Sequence, residues 1–294
     1  MKSGTVAVVG SANAGKSTLV NVLVGEKISI VSPKPQTTRE RIIGVLNTED
    51  YQIVFEDTPG VYSGNSLLGV QMAKEGEKTV KDVDLALFVI DVHDGIKEKD
   101  LSLLERIIKT GTNVILALSK IDIMPEDKIP ECLEKFNKYS EIKEIIPVSA
   151  RKGKNLKVLI KCILKYLPEG DKLFDDNVIS DKSEKFMVGE IMREKILLKY
   201  DKEIPHGVAV VVNEFTKRQS GNYYVNLDIV CEKDNHKAIL IGKGGAKLKE
   251  TVSFARADME KFLGAKVYLE TYVKVKKDWR NKRDLLEEFG YKQN

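Results

Sequence analysis

The sequence of 294 residues has few cysteines and no long apolar run. Its three cysteines, Cys132, Cys162 and Cys231, are far apart and lack C-x-x-C spacing, so neither a disulfide framework nor a zinc site is supported. No apolar run approaches the ~18 residues of a membrane-spanning helix. The first residues lack the pattern of a secretion signal. We therefore expect a cytoplasmic protein.

Neither positive nor negative side chains are in large excess, since the net charge is only +4. The distribution is uneven, since residues 236–294 carry fourteen Lys or Arg against eight Asp or Glu. A composition of 42% hydrophobic and 31% charged residues suits two globular domains with real cores. The basic C-terminal part suggests that any polyanionic partner binds there.

The most informative segment is the octet at residues 10–17, which lies between an apolar run at 5–9 and a helix-like stretch at 18–23. Its glycines let backbone N–H groups turn inward, and the following helix N-terminus adds partial positive charge. The pattern predicts a phosphate-binding loop, in which Lys16 reaches the β- and γ-phosphates and Ser17 binds Mg²⁺. The predicted nucleotide contacts of the loop are Gly10, Ser11, Ala12, Asn13, Ala14, Gly15, Lys16 and Ser17.

The pattern up to residue 167 predicts a doubly wound α/β fold. Short β-prone runs suggest one hairpin, and three later continuous apolar runs are typical of buried parallel strands. Helical stretches lie between these later runs, so we expect a mostly parallel sheet with ligands at the carboxyl ends of its strands. The runs are residues 41–46 and 51–55 for the hairpin, and 85–91, 113–118 and 145–148 for the buried strands.

One polar motif follows the second hairpin strand, where Asp57, Thr58, Pro59 and Gly60 stand in sequence. A carboxylate at this point can hold Mg²⁺ through water. Alone, this motif is more often a plain turn. After a phosphate loop, the metal-binding interpretation is favoured.

Two further motifs follow the last two predicted strands. Asp122 can accept hydrogen bonds from N1–H and the exocyclic amine of guanine, a pairing that adenine does not supply. The stem of Lys120 can cover one face of the base, although a strand-end turn with a solvated lysine is the alternative. Ser149 and Ala150 would close the base pocket through backbone N–H groups. With Ser119, these residues complete the predicted base-binding set.

The second half of the chain has a different pattern. Polar residues 171–183 suggest a linker, and the elements beyond it follow the order α-β-β-α-α-β of a small α+β domain. A glycine loop at 242–245 lies between its last two helices. The expected division is residues 1–170, the linker, and residues 184–294 with a basic C-terminal tail.

These motifs resemble, in order, those of the translation-factor-type GTPases, and the loop 242–245 resembles the GxxG loop of a type II KH domain. The whole chain, including residues 35–39 and 272–280, resembles the Era family of bacterial ribosome-assembly GTPases. The resemblance implies an α/β P-loop GTPase domain with a doubly wound, mostly parallel sheet, followed by a smaller α+β type II KH domain. It also implies GTP and GDP as ligands, with Mg²⁺ as cofactor.

The resemblance assigns further roles in the GTPase reaction. Thr38, or its neighbour Thr37, would join Ser17 and Asp57 in binding Mg²⁺ in the GTP state. Lys16, Asn13 and Thr38 form the expected catalytic set, in which Asn13 is a candidate ligand for K⁺. Val61 stands where Ras-like enzymes place a glutamine that orients water, so slow hydrolysis is expected. The two rival hypotheses are a non-catalytic RNA-binding assembly module, in which GTP only stabilises one conformation, and an ATP-using P-loop enzyme, which Asp122 disfavours.

For the KH-like part, the resemblance implies binding to small-subunit ribosomal RNA near its 3′ end and to the pre-30S particle. Glycines in such a loop let an RNA backbone approach closely. A solvated helix cap is the alternative. Peripheral inner-membrane contact and a monomeric state are further expectations. The candidate RNA contacts are Gly242, Lys243, Gly244, Gly245, Lys247 and Lys249.

One position departs from the family pattern, because Ser119 replaces the asparagine of the Asn-Lys-x-Asp motif. Serine offers a single hydroxyl in place of an amide. We therefore expect its bonds to the base and to the phosphate loop to be weakened or replaced by water. Guanine selection should survive because Asp122 is present.

Overall fold

The computed structural model describes residues 1–60 and 66–291, apart from the side chain of Glu77. These residues form two compact units. Residues 1–31, 38–60 and 72–181 make up the first, and residues 32–37, 66–71 and 182–291 make up the second. Each unit has its own sheet and its own hydrophobic core.

Strands and helices alternate along the first part of the chain, as the sequence predicts. The elements are β1 (Lys2–Val9), α1 (Lys16–Val24), β2 (Ile42–Asn47), β3 (Tyr51–Asp57), α2 (Leu67–Lys81), β4 (Leu85–Asp91), α3 (Glu98–Ile108), β5 (Asn113–Ser119), α4 (Lys128–Glu134), β6 (Ile142–Pro147) and α5 (Leu156–Tyr166). The strand order is β2-β3-β1-β4-β5-β6. Only the β2–β3 pair is antiparallel, so the predicted doubly wound, mostly parallel sheet is confirmed.

The central strands form the core of the first unit because they are apolar on both faces. Phe88 in β4 and Leu116 in β5 are fully buried, and both pack in one cluster with Leu104 of α3. Burying each such side chain contributes about 1.5–3 kcal/mol. The parallel strands β1, β3, β4 and β5 all end at the same edge of the sheet, and the predicted motifs follow three of them.

Residues 171–183, predicted as a linker, are structured through residue 181 and belong to the first unit. Backbone N–H of Val45 donates to the carbonyl of Ile179 at 2.8 Å. The hydroxyl of Ser180 donates to the carbonyl of Ile43 at 2.7 Å. The segment thereby covers the open edge of β2, which would otherwise expose unpaired backbone groups.

A three-stranded sheet with helices forms the second unit. The elements are α6 (Glu184–Lys199), β7 (Ala209–Lys217), β8 (Tyr223–Cys231), α7 (Asp234–Ile241), α8 (Ala246–Leu263), β9 (Val267–Val275) and α9 (Arg283–Glu288). The strand order is β7-β8-β9, with β7 antiparallel and β9 parallel to the central β8. Up to β9 the order is the predicted α-β-β-α-α-β.

Residues 279–291 are folded, although the sequence predicts a basic C-terminal tail. Trp279 is fully buried, and its indole N–H donates to the carbonyl of Gly207 at 2.9 Å. Its ring packs against those of Phe289 and Tyr291. Leu286 of α9 is also fully buried. The apolar residues hidden among the charged ones therefore anchor this segment.

Tyr200 fixes the end of α7, immediately before the glycine loop. Its hydroxyl donates to the carbonyl of Leu240 at 2.7 Å and lies 3.2 Å from the hydroxyl of Thr251. Carbonyls in the last turn of a helix lack intrahelical partners, so a buried donor at this point satisfies one of them. Tyr200 is itself buried.

We expect Tyr200→Phe to lower the free energy of unfolding of the second unit by about 1–3 kcal/mol, because the Leu240 carbonyl loses a buried donor. Trp279 is the only tryptophan of the chain, so its fluorescence in urea reports on this unit. The matched control is Tyr272→Phe, since Tyr272 is 54% exposed. Equal effects of the two substitutions would contradict the assigned role of Tyr200.

Candidate functional site

The loop after β1 has the strand, glycine loop and helix order that the sequence predicts. Gly10 has a φ of +148°, and a Cβ at this position would come within 2.2 Å of the carbonyl oxygen of Val89. No side chain fits there without moving the backbone of β4. The loop ends at Gly15, and α1 begins at Lys16. The helix N-terminus therefore adjoins the loop, as an anion site requires.

A carboxylate from α3 holds the loop at its start. The hydroxyl of Ser11 donates to Oδ1 of Asp100, while Oδ2 of Asp100 accepts from the backbone N–H of Lys97 at 3.1 Å. Nothing in the sequence marks Asp100 for this role, because an acidic residue in the first turn of a helix ordinarily indicates only a favourable charge near the helix N-terminus.

A serine from the end of β5 holds the same loop near its other end. The hydroxyl of Ser119 donates to the carbonyl of Ala14 at 2.6 Å, and the bond is buried. The prediction that the bond from Ser119 to the phosphate loop is weakened or replaced by water is therefore wrong. The bond forms directly because the end of β5 lies close to the loop.

Lys16 is almost fully buried beneath the loop. Its ammonium donates to the carbonyls of Gly10 and Ser11, each at 3.1 Å. Burial lowers the pKa of Lys16 from its ordinary value of 10.5 to about 8, and the negative charge of Asp57 opposes this. Neutral carbonyl groups offset only part of the free energy that burying the ammonium of Lys16 costs. The site therefore favours the binding of an anion beside Lys16.

Three oxygen-bearing side chains converge beside Lys16. The hydroxyls of Ser17 and Thr38 lie 2.8 Å apart, and that of Thr38 lies 3.5 Å from Oδ2 of Asp57. Oδ1 of Asp57 is buried and has no hydrogen-bond partner among the described residues. Burial raises the pKa of Asp57, and the charge of Lys16 opposes this.

These oxygens suit a hard cation such as Mg²⁺. The part of the chain that the structure describes has no group of three His, Cys, Asp or Glu residues that could hold a metal. Mg²⁺ usually binds through one or two protein oxygens, water and substrate phosphates, and the buried, unpartnered oxygen of Asp57 fits that use.

The neighbouring threonine is engaged elsewhere. The hydroxyl of Thr37 donates to the carbonyl of Lys34 at 2.6 Å, and residues 32–37 belong to the second unit. There the guanidinium of Arg193 donates to the carbonyls of Gln36 and Thr37. Of the two candidates, the geometry favours Thr38 as the metal ligand.

The other predicted residues near the phosphate loop, Asn13, Thr58, Pro59 and Gly60, differ in their positions and contacts. Asn13 is exposed and has a left-handed backbone. The hydroxyl of Thr58 donates to the carbonyl of Val8 at 2.8 Å, which ties the end of β3 to β1. A Cβ on Gly60 would come within 2.8 Å of Cα of Ala12, so the segment that contains Pro59 and Gly60 approaches the loop closely.

A cavity of about 170 Å³ lies at the ends of β5 and β6. It is lined by Gly15, Ser119, Lys120, Asp122 and Ala150, among others. Five residues that the sequence predicts for the nucleotide site therefore line one cavity. Such concave sites with few polar groups are typical of small-molecule binding.

A side-chain hydrogen bond from Ser149 orients Asp122. The sequence predicts a different role for Ser149, in which its backbone N–H closes the base pocket. The hydroxyl of Ser149 donates to Oδ1 of Asp122 at 2.6 Å and holds the pKa of that carboxyl below its ordinary range. The backbone N–H of Ser149 donates to the carbonyl of Lys154, so Ser149 acts through its side chain. Ala150 lines the cavity as expected, and the ammonium of Lys120 pairs with Asp91 at 2.5 Å.

The glycine loop of the second unit follows α7. Gly242 has a φ of +72°, and a Cβ there would lie 2.7 Å from Cβ of Lys247, while Cβ atoms on Gly244 and Gly245 would meet nothing within 4 Å. The side chains of Lys243, Lys247 and Lys249 are exposed. The loop therefore presents bare backbone beside three positive charges, as contact with a phosphodiester backbone requires.

Comparison with known families identifies both units. Residues 5–120 match the family described as 50S ribosome-binding GTPase, and residues 203–280 match the KH domain family. The first match contains the phosphate loop, Asp57 and Ser119. The second contains the glycine loop and its lysines. The predicted GTPase and KH domains are thereby confirmed.

Relatives along the whole chain carry one name. GTPase Era of Clostridium kluyveri is 48% identical over 99% of this chain and 100% of its own length, and GTPase Era of Clostridium botulinum strain Hall is 45% identical over 99% and 98%. A single-residue variant of Aquifex aeolicus Era bound to GDP and AlF4⁻ superposes with a TM-score of 0.95 at 40% identity, covering 100% of both chains. Era in complex with MgGDPNP and nucleotides 1506–1542 of 16S ribosomal RNA gives 0.95 at 41%, also over 100% of both chains. The chain therefore belongs to the Era family of GTPases.

Proposed function

We propose that loop 10–17 and the cavity at Asp122 together bind GTP and GDP. The observation that carries this proposal is that the buried ammonium of Lys16 and the carboxylates of Asp57 and Asp122 lie at or after the carboxyl ends of the parallel strands β1, β3 and β5. The loop would hold the phosphates, and Asp122 would accept hydrogen bonds from guanine. The solved relatives that contain GDP with AlF4⁻ or MgGDPNP support both ligands.

Catalysis in this proposal depends on residues around the terminal phosphate. Ser17, Thr38 and Asp57 would hold Mg²⁺, which when bound neutralises charge on the phosphates. Lys16 would stabilise the charge of the transferred group, and Thr38 would bind Mg²⁺ only while the terminal phosphate is present. Val61, on which the expectation of slow hydrolysis rests, lies outside the described residues.

Asp122→Asn tests the guanine-binding residue. We expect this substitution to weaken GTP binding about 10- to 100-fold, because two hydrogen bonds to a charged group are lost. It should also improve xanthosine triphosphate binding, since an asparagine N–H can donate to the additional carbonyl of xanthine. Equilibrium competition against a fluorescent GDP measures both affinities.

The matched control is Asp50→Asn in the exposed turn between β2 and β3. It changes the same charge far from the cavity, so it should leave both affinities unchanged. An unchanged preference for guanine in Asp122→Asn would exclude Asp122 as the residue that selects the base.

We also propose that Asn13 binds K⁺ near the phosphates. Its exposed side chain lies on the phosphate loop, where an amide oxygen can reach a cation beside the nucleotide. A faster single-turnover hydrolysis in K⁺ than in Na⁺ is expected, and the difference should disappear in Asn13→Ala. Equal wild-type rates in the two salts would refute the proposal.

The second unit is proposed to bind small-subunit ribosomal RNA near its 3′ end. Support comes from the bare glycine loop beside Lys243, Lys247 and Lys249, and from the solved relative that contains nucleotides of 16S ribosomal RNA. The affinity should fall steeply with salt, because lysines that neutralise phosphates release bound counterions.

Gly244→Asp tests this loop. The position has a φ of +58° and open space around a Cβ, and aspartate tolerates this backbone region. The substitution should therefore preserve the fold while placing a negative charge against the phosphates. We expect binding to an RNA oligomer of the small-subunit 3′ end to fall at least about 10-fold, with GTP binding unchanged.

Gly264→Asp is the control, because Gly264 has a φ of +63° and equally open space at the opposite end of α8. The same residue change in the same backbone conformation should leave RNA binding unchanged. Retained binding in Gly244→Asp, or equal losses in both variants, would refute the loop as the contact.

For the cellular context, we propose a cytoplasmic monomer that acts on the pre-30S particle and contacts the inner membrane peripherally. We also propose that the functional division follows residues 1–170 and 184–294. Within the described residues no helix is long and apolar enough to cross a membrane, so contact would be at the surface. Cosedimentation with anionic vesicles and with small-subunit particles measures these interactions, and light scattering measures the oligomeric state.

A further inference from the structure

Ser119 uses its only donor within the protein. A serine hydroxyl has one proton to donate and otherwise only accepts. That proton goes to the carbonyl of Ala14 at 2.6 Å, in a buried bond. Towards the cavity, Ser119 therefore offers lone pairs and no N–H or O–H.

The orientation of a bound guanine follows from two groups of the site. An ionised Asp122 only accepts, so it pairs with the edge that carries N1–H and the exocyclic amine. The sugar is attached at N9, and phosphates in loop 10–17 draw the five-membered ring towards Gly15. That ring also carries N7, so N7 lies on the side of the cavity formed by Gly15 and Ser119.

Guanine N7 is a hydrogen-bond acceptor. In this orientation N7 would face the hydroxyl of Ser119, whose proton is already donated to the carbonyl of Ala14. The ammonium of Lys120 pairs with Asp91, which takes one of its three N–H donors. Thr18 and Arg151 are the other side-chain donors on the described wall of the cavity.

We propose that this protein selects guanine without a hydrogen bond to N7, and that Ser119 is a positioning residue that holds the phosphate loop. This inference rests on the guanine site proposed above. An asparagine at 119 has two N–H donors, so it could bind the Ala14 carbonyl with one and N7 with the other. The residue at position 119 would thus determine whether the protein makes a hydrogen bond to N7 of guanine.

The experiment compares GTP with 7-deaza-GTP, in which a C–H group replaces N7. Both nucleotides compete against a fluorescent GDP on the full chain, with ATP as a third competitor. For the wild type, we expect the two guanine nucleotides to bind within about 2-fold of each other, which is less than one hydrogen bond contributes. Ser119→Asn should favour GTP over 7-deaza-GTP by about 3- to 10-fold, as one additional hydrogen bond predicts.

Ser119→Ala separates positioning from base recognition. Loss of the bond to Ala14 should weaken GTP and 7-deaza-GTP by the same factor, so the ratio of their affinities stays near that of the wild type. This variant and the wild type decide the question even if Ser119→Asn does not fold. A ratio that changes in Ser119→Ala would show that the hydroxyl contacts the base.

The outcomes distinguish this inference from the function on which it rests. A wild-type protein that prefers GTP over ATP but binds 7-deaza-GTP at least about 3-fold more weakly would overturn the inference alone, with Thr18, Lys120 or Arg151 as the donor to N7. A folded Ser119→Asn protein without a preference for GTP over 7-deaza-GTP would also overturn it. A wild-type protein that does not prefer GTP over ATP would overturn the guanine site itself, and this inference with it.

Discussion

The nucleotide site depends on a buried ammonium whose charge the surrounding protein compensates only in part. Lys16 is held by two carbonyls, and its low pKa of about 8 reflects the loss of water around it. Asp57, buried nearby, has one oxygen without a partner among the described residues. A phosphate and a divalent cation supply what each group lacks, so the features that destabilise the empty site favour binding of the charged ligand.

Short serine side chains hold the rest of the site together. Ser11 binds Asp100, Ser119 binds Ala14, and Ser149 binds Asp122. A serine reaches its partner only if the two backbones are already close. The register of the sheet provides this closeness, because β4 pairs Asp91 with Ser119 and β5 pairs Leu118 with Pro147 just before Ser149. The strands thus set the geometry, and the hydroxyls fix loops at their ends.

Helices, strands and loops could be predicted from the sequence wherever the local hydrophobic pattern agrees with the burial in the structure. The apolar runs of β4 and β5, the glycines of loop 10–17, and the helices on either side of loop 242–245 all lie where the sequence predicts. Two kinds of feature were not predictable. Polar residues 171–181 pair with β2 because an exposed sheet edge accepts any backbone, which composition does not reveal. The partners of Ser119 and Asp100 depend on distances between elements that no single stretch of sequence encodes.

We propose that the guanine nucleotide bound at loop 10–17 also controls RNA binding by the second unit. Thr38 lies beside Ser17 in the first unit, and the residue before it along the chain, Thr37, belongs to the second unit. A nucleotide-dependent movement of Thr38 would therefore be transmitted along the chain to residues 32–37. The most direct measurement is the affinity of the full chain for an RNA of the small-subunit 3′ end, with a nonhydrolysable GTP analogue and Mg²⁺ or with GDP. Tighter binding by at least about 5-fold in the GTP-analogue form is the predicted result. Equal affinities in the two forms would contradict the account.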